Sequence, residues 1–373
     1  MDMQRDRLDQ TCHEDLLACD LRALRHLQRG IDGSLVAAPW NNYIKVWVRD
    51  NLQIAYSLFV AGEWDFASEI TSAINGICLK HRWKIDYRLR DGRPSSWGEM
   101  FQAIHSVYDI YGNEFPYPWG HLQNDAIGLI LLTNGTIGSK IPSLVTPEVM
   151  NYLSILPEYL HKMQYWLEDF GTWEEGPYAQ LPSDLSCIVG MMVAGQSLGV
   201  PYSEEALENG IAQRLSLGHR FSQSREVDLS NLQLYWPLGA TDDESIILAI
   251  ERELVRDHGV IRYHGDSYEI SDDGMAMEWP LGFYWLGLSW YMLGDRDKAA
   301  YYLERGDSLR LPDGSIPEGY RHVCRDWKLE WAPCPHTPLG WPHGLSIALR
   351  SLLGLIPLHP AKVIGSPLIN LAT

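Results

Sequence analysis

The sequence lacks any apolar run long enough to span a membrane, and basic residues are in deficit. Charged residues are spread through Met1 to Asp20, so this stretch has no apolar signal-peptide core. The net charge of −18 argues against nucleic acid or an anionic membrane as a partner. The six cysteines show no paired spacing and are expected to be reduced thiols. We therefore expect a cytoplasmic protein without nucleic-acid or membrane partners.

Phenylalanine is also scarce, with seven residues against 15 Trp and 19 Tyr. Trp and Tyr join an apolar face to a polar edge, which suits stacking on sugar rings while still hydrogen-bonding. A large core that prefers Trp would give the same numbers, so composition leaves both interpretations open. The hydrophobic content of 46% and charged content of 21% are typical of a globular protein.

Segments of helical periodicity recur along the chain, and no strand-like run recurs between them. The clearest are 14–30, 51–61, 65–81, 126–135, 147–167, 184–198, 204–220, 243–257, 279–293, 298–304 and 345–355. Residues 86–99 are predicted to form a loop or short hairpin, and 258–268 a short hairpin. Without a linker or composition break, residues 1–373 are predicted to form a single all-α domain. Alternating long and short connections suit a toroid of helical hairpins whose long loops build the site.

The loop from Asp169 to Gly176 is the most informative stretch. It places two adjacent carboxylates, Glu174 and Glu175, directly after Trp173. A carboxyl group beside an indole is partly desolvated, which raises its pKa, as a general acid at neutral pH requires. The alternative is a solvated turn or helix cap, because acidic pairs are common in loops.

Other long loops also carry charged groups beside aromatic residues. The candidate ligand-binding residues are Trp47, Arg49, Asp50, Trp119, His121, Gln123, Asp125, Trp173, Glu175, Arg262 and Trp279. Such a mixture suits a neutral polyhydroxylated ligand, because carboxylates and amides bind hydroxyls while aromatic faces pack on C–H groups. Glycoside hydrolysis further needs an acid for the leaving oxygen and a carboxylate that activates water or attacks carbon. Glu174 and Glu318, far apart in sequence, could supply that pair.

Several of these residues have structural alternatives. Arg49 and Asp50 could form an ion pair at a helix start, and Asp125 could cap the helix that follows it. A group of possible metal ligands comprises His322, Cys324, Cys334, His336 and His343. Their spacing, Cys-x9-Cys-x-His-x6-His, fits no compact zinc pattern, so neither a metal nor another cofactor is predicted.

Six motifs occur in the order found in one known family. They are Trp-Val-Arg-Asp (47–50), Trp-Gly-His-Leu-Gln-Asn-Asp-Ala (119–126), Asp-Phe-Gly-Thr-Trp-Glu-Glu-Gly (169–176), Gly-Val-Ile-Arg-Tyr (259–263), Glu-Trp-Pro-Leu (278–281) and Pro-Glu-Gly-Tyr (317–320). From about residue 40 to 355 the chain thus resembles the glucoamylase-like glycoside hydrolases of family 15. It looks closest to the branch that contains the barrel domain of phosphorylase kinase α and β subunits.

This resemblance implies an (α/α)6 barrel and inverting hydrolysis of α-linked glucose from non-reducing ends. Glu174 matches the general acid and Glu318 the general base, while Arg49 and Asp50 match a pair that holds hydroxyls of the terminal glucose. An inverting pair should lie about 6.5–9.5 Å apart, which leaves room for the attacking water. Further sugar contacts are implied for Trp119, His121, Gln123 and Asp125, and pocket walls for Arg262 and Trp279.

Three positions depart from the family pattern. Glucoamylases usually carry Arg where His121 stands, and commonly Gln where Gly319 follows the base. Glu175 stands where many kinase subunits have Arg, so the chain is more glucoamylase-like at that point.

The leading hypothesis is an inverting exo-acting α-glucosidase that takes neutral short α-gluco-oligosaccharides. A catalytically silent glucan-binding regulatory or scaffold protein is the second hypothesis. A third is another barrel enzyme, such as an epimerase or an unsaturated glucuronyl hydrolase, which the lack of basic residues suited to a uronate disfavours. The linkage, the preferred chain length and the oligomeric state do not follow from the sequence.

Overall fold

The computed structural model describes residues 2–116, 119–176, 178 and 180–356. Thirteen α-helices lie within these residues and are numbered α1 to α13 in chain order. Their bounds are Asp2–Leu27, Val48–Ala61, Trp64–Lys80, Trp83–Asp91, Trp97–Met100, Asn124–Gly138, Pro147–Lys162, Leu181–Leu198, Glu204–Leu217, Glu244–Leu254, Leu281–Met292, Arg296–Asp307 and Gly340–Leu353. Short 3-10 helices occur at Ile31–Gly33, Asn41–Tyr43, Pro142–Leu144 and Leu229–Leu234.

Two small antiparallel pairs of strands are the sheets of the described chain. Strand β1 (Val46–Trp47) pairs with β2 (Val107–Tyr108), and β3 (Tyr320–Arg325) pairs with β4 (Lys328–Pro333). The hairpin predicted at 258–268 is wrong, because the strand-like contacts there are isolated bridges from Val260 to Val255 and Trp279. The loop or hairpin predicted at 86–99 is partly wrong as well, since α4 continues to Asp91.

An inner ring of six helical segments forms the centre of the fold. Within this ring, α2 contacts α6, α6 contacts α8, and α8 contacts the 3-10 helix Leu229–Leu234. That 3-10 helix contacts α11, α11 contacts α13, and α13 contacts α2, which closes the ring. Helix α11 carries apolar residues on all of its faces, and a helix of that kind must be buried.

Glycines allow α6 and α8 of the inner ring to touch through their backbones. A Cβ on Gly128 would lie 2.3 Å from the carbonyl carbon of Ser186, and one on Gly190 would lie 2.2 Å from the oxygen of Gly128. A side chain at either position would therefore push the two helices apart.

The outer helices each pack against an inner one. The pairs are α1 with α13, α3 with α2, α7 with α6, α9 with α8, α10 with the 3-10 helix Leu229–Leu234, and α12 with α11. Helix α10 is amphipathic, and it buries Ile246, Ile247, Ile250 and Leu254 while its other face is polar. The predicted all-α (α/α)6 barrel is thereby confirmed. Among the described helices, none has both the length and the apolar character needed to cross a bilayer.

A buried ion cluster joins the first helix to the last. Asp20 on α1 is fully buried and accepts hydrogen bonds from Arg310 (2.7 and 3.0 Å) and Ser346 (2.8 Å). His343 on α13 places Nδ1 2.6 Å from the same carboxylate. Burial disfavours ionisation of Asp20, but Arg310 and His343 outweigh it and hold its pKa well below the usual range.

We expect Asp20→Asn to lower the free energy of unfolding by about 3–5 kcal/mol, because the buried Arg310 loses its bidentate carboxylate partner and keeps only Asp307, which it shares with Arg350. Since the folded pKa of Asp20 is depressed, the carboxylate stabilises the wild type above its unfolded pKa of about 3.9, and this contribution is lost as pH falls further. Urea titrations from neutral pH to below pH ~4 should show the two proteins converging. Asp15→Asn, on the exposed side of α1, is the matched control and should match the wild type within about 0.5 kcal/mol.

Candidate active site

A cavity of about 610 Å³ opens at the end of the barrel where the inner helices begin. Its walls come from the loops that precede α2, α6, α8, α11 and α13, together with the first turns of α2 and α13. This volume is in the range of small-ligand sites. Ten of the predicted site residues line it, namely Trp47, Arg49, Asp50, Trp119, Trp173, Glu174, Glu175, Arg262, Trp279 and Glu318.

Glu174 is held on the wall by two indole donors. Trp47 Nε1 donates to Oε1 at 2.8 Å, and Trp119 Nε1 donates to Oε2 at 3.0 Å. The residue has φ +62°, a left-handed conformation that costs a non-glycine residue about 1 kcal/mol or more. The loop around it is anchored to the loop before α6, because Phe170 N–H donates to the Leu122 carbonyl at 2.9 Å.

The electrostatic surroundings of Glu174 suit a proton donor. Burial raises its pKa, and the Arg49 guanidinium and the two indole donors only partly oppose this effect. A raised pKa keeps a larger fraction of the carboxyl group protonated near neutral pH.

Glu318 lies in a different environment, although it lines the same cavity. Its side chain is buried, Tyr43 donates its hydroxyl proton to Oε1, and Nδ1 of His336 lies 2.7 Å from Oε2. The Tyr43 hydroxyl also hydrogen-bonds the hydroxyl of Tyr268. Both carboxylate oxygens therefore have partners, which fixes the orientation of the group.

Tyr43, Tyr268 and His336 are cavity residues that sequence reasoning missed. They lie outside the six motifs, and their position follows only from folding of the surrounding loops. The signal that could have found Tyr43 is its loop, in which Trp40 and two asparagines precede it. His336 follows Cys334 and Pro335, and sequence analysis considered it only as a zinc ligand.

Arg49 and Asp50 are not the ion pair that the structural alternative proposed. Arg49 is buried and paired with Asp125, through Nε to Oδ2 at 2.5 Å and Nη2 to Oδ1 at 2.9 Å. It also donates to the carbonyls of Gly171 (2.8 Å) and Thr172 (3.1 Å), and so braces the loop that carries Glu174. Asp50 is left facing the cavity, and burial raises its pKa to about 7 against the opposing charge of Arg49.

Direct sugar contact by His121, Gln123 and Asp125 does not fit this structure. All three are at most 3% exposed and lie behind the cavity wall. Gln123 and Asp125 both bind Arg49, since Gln123 Oε1 accepts from Nη2 at 2.7 Å. His121 stacks on His105 with centroids 3.4 Å apart, and burial lowers the pKa of these rings to about 3 and about 2, so the stack is neutral. These residues support the residues that line the cavity and do not line it themselves.

Glu175 and Arg262 form a second charged patch on the wall. Arg262 Nη2 donates to Glu175 Oε1 at 2.9 Å, and its Nε donates to Asp266 at 2.8 Å. Tyr263 donates its hydroxyl to the other oxygen of Glu175. The rings of Trp173 and Trp279 lie beside this patch with centroids 5.8 Å apart. Arg262 on this wall and Arg49 in the first turn of α2 are thus both paired with carboxylates.

The departure at Gly319 has a steric cause. A Cβ there would lie 2.5 Å from Cγ and Sδ of Met277, so Gln at this position would require Met277 to move.

An (α/α)6 barrel with two carboxylates on separate loops of one aromatic-lined cavity defines a glycoside hydrolase of the barrel type. The family model of glycosyl hydrolases family 15 matches residues 12–199, which is half of the chain. The chain belongs to this family.

Similar proteins agree with that assignment. The chain is 25% identical to the isomaltose glucohydrolase of Kribbella flavida, over 89% of this chain and 91% of that protein. It is 24% identical to a probable phosphorylase b kinase regulatory subunit alpha of Caenorhabditis elegans, over 81% of this chain but only 30% of that protein. Among solved structures, a wild-type glycosidase superposes with a TM-score of 0.75 at 21% identity, covering 96% of this chain and all of that one (100%). The glucoamylase of Hormoconis resinae gives 0.63 at 15% identity, covering 94% and 74%.

Proposed function

We propose that this protein is an inverting exo-acting hydrolase that releases glucose from the non-reducing ends of short α-glucans. The observation that carries the proposal is the contrast between two carboxyl groups of one cavity. Glu174 has a pKa raised by burial, whereas Glu318 accepts from Tyr43 and His336 and is fixed in orientation. One group is suited to donate a proton and the other to accept one.

In the proposed reaction, Glu174 donates its proton to the glycosidic oxygen as the bond to the anomeric carbon breaks. A water molecule attacks that carbon from the opposite face, and Glu318 accepts the proton that the water loses. The glucose product then carries the inverted, β configuration. Asp50 lies on the same wall and is placed to bind hydroxyls of the terminal glucose.

A neutral substrate fits the charges of the wall. Arg49 is paired with Asp125, and Arg262 with Glu175 and Asp266, so neither is available for a uronate carboxylate. Aromatic faces at Trp119 and Trp279 supply apolar surface for sugar C–H groups.

The test is to incubate the purified protein with maltose, isomaltose, trehalose and maltooligosaccharides, and to follow product anomers by proton NMR. We expect β-glucose to appear before mutarotation produces the α anomer. Isomaltose comes first in the panel because the relative from Kribbella flavida is named for it. Initial release of α-glucose would contradict inversion. Oligosaccharide binding by calorimetry without any product would instead favour the regulatory role that the name of the kinase-subunit relative suggests.

A further inference from the structure

A thiol, an imidazole and a carboxylate converge beside the cavity. Ligand atoms of Glu318, Cys334 and His336 all lie within 4.8 Å of one another. Glu318 Oε2 is 2.7 Å from His336 Nδ1 and 3.7 Å from Cys334 Sγ. Glu318 and Cys334 are each 2% exposed. Glu318 and His336 line the cavity. The sequence spacing did not reveal this group, because Glu318 lies 16 residues before Cys334, on the other side of the β3–β4 hairpin.

The backbone holds these three side chains in register. Cys334 and His336 follow β4 directly and lie on either side of Pro335, at which the chain bends. Glu318 N–H donates to the His336 carbonyl at 3.1 Å, and Cys334 N–H donates to the Gly319 carbonyl at 2.8 Å. The ring of Tyr43 stacks on that of His336 with centroids 3.9 Å apart. Such support is typical of binding sites whose side chains are held in place before the bound species arrives.

This donor set selects one chemical class of ligand. Thiolate, imidazole and carboxylate together favour Zn²⁺ and similar divalent transition metals over Mg²⁺ or Ca²⁺, which prefer oxygen alone. Three protein ligands with a fourth position open to a cavity are typical of an accessible zinc site. On binding, the Cys334 thiol releases its proton to solvent, and the His336 ring gives up its Nδ1 hydrogen bond to Glu318, carries its single proton on Nε2 and binds the cation through Nδ1.

We propose that Glu318, Cys334 and His336 form a reversible binding site for a thiophilic divalent cation such as Zn²⁺, and that its occupancy blocks the cavity's general base. A carboxylate coordinated to the cation no longer accepts a proton from water. The cation reaches the site through the cavity that Glu318 and His336 line, and it acts as an inhibitor. The inhibitory effect, though not the binding itself, rests on the proposed function.

The experiment titrates the full chain with Co²⁺ in the absence of sugar and follows ultraviolet and visible absorption. We expect a thiolate-to-cobalt charge-transfer band and the visible bands of a four-coordinate ion. In Cys334→Ser the charge-transfer band should disappear, and the dissociation constant should rise at least about tenfold. Cys324→Ser removes an exposed thiol of β3 and should leave the titration, the fold and the hydrolysis unchanged. Circular dichroism of each variant separates loss of metal binding from loss of folding.

Inhibition is measured separately, as the fraction of each variant's own rate that remains at buffered Zn²⁺ concentrations. The wild type and Cys324→Ser should lose activity in parallel, and Cys334→Ser should need at least about ten times more Zn²⁺ for the same loss. Absence of the cobalt band in the folded wild type would overturn the site, whatever the hydrolysis. A cobalt band in a protein that hydrolyses nothing would uphold the site and refute the proposed function instead.

Discussion

Replacing Glu174 by Gln should reduce kcat on α-gluco-oligosaccharides by about 10²–10⁴-fold. Gln keeps the size of the side chain and can still accept a hydrogen bond from Trp47 or Trp119, but it has no proton to give to the leaving oxygen. KM should change by a few-fold at most, because the binding surface is retained. Steady-state kinetics on the oligosaccharide that NMR shows to be cleaved fastest measures both constants.

Two controls make the acid role of Glu174 specific. α-Glucosyl fluoride needs little protonation of its leaving group, so the variant should lose far less activity on it than on an oligosaccharide. The wild-type rate should fall as pH rises through the raised pKa of Glu174, because the acid form is the active one, and this basic limb should be missing in the variant. Equal losses on both substrates would contradict the assignment.

Replacing Glu318 by Ala should also reduce kcat by about 10²–10⁴-fold, and on the fluoride as much as on oligosaccharides. Without the carboxylate, no group accepts the proton of the attacking water. Azide carries a negative charge and needs no base, so added azide should restore turnover of the fluoride and give β-glucosyl azide. Kinetics with and without azide, with the product identified by NMR, measure this effect.

Glu269 supplies the matched control for Glu318. It lines the same cavity, but its carboxylate pairs with Arg321 at 3.2 Å. Glu269→Gln should therefore hydrolyse oligosaccharides within a few-fold of the wild-type rate. If Glu269→Gln reduced the rate of oligosaccharide hydrolysis as much as Glu318→Ala does, the assignment of Glu318 as the general base would be contradicted.

Five of the six inner segments were predicted as helices from sequence, whereas the 3-10 helix Leu229–Leu234 was not. Helices α6, α8 and α11 are predominantly apolar on all their faces, and helices of that kind are buried. The strands were harder to predict. Strand β3 is polar and half exposed, and it forms because β4 returns beside it, which is a non-local pairing without a local hydrophobic signal.

The sequence did not indicate how deeply each candidate site residue is buried. The motif around Trp119 correctly predicts a wall of the cavity, but Gln123 and Asp125 turn inward to Arg49 because a buried guanidinium needs acceptors. Tyr43 and His336 were not predicted together, since they stack on each other although they lie far apart in the sequence. Sequence spacing does not reveal such a contact.

The closure of the barrel has a consequence for how the protein folds. The hydrogen bond between Asp20 and His343 joins residues 323 positions apart, and His343 in turn accepts a hydrogen bond from Ile316 N–H, two residues before Glu318. Closing so long a loop costs only modestly more free energy than closing a short one, but contacts of high sequence separation slow folding. During synthesis, the hydrogen bond from Ile316 N–H to His343, beside the loop of Glu318, can form only after α13 has been made. Catalytic competence should therefore be among the last properties that the folding chain acquires.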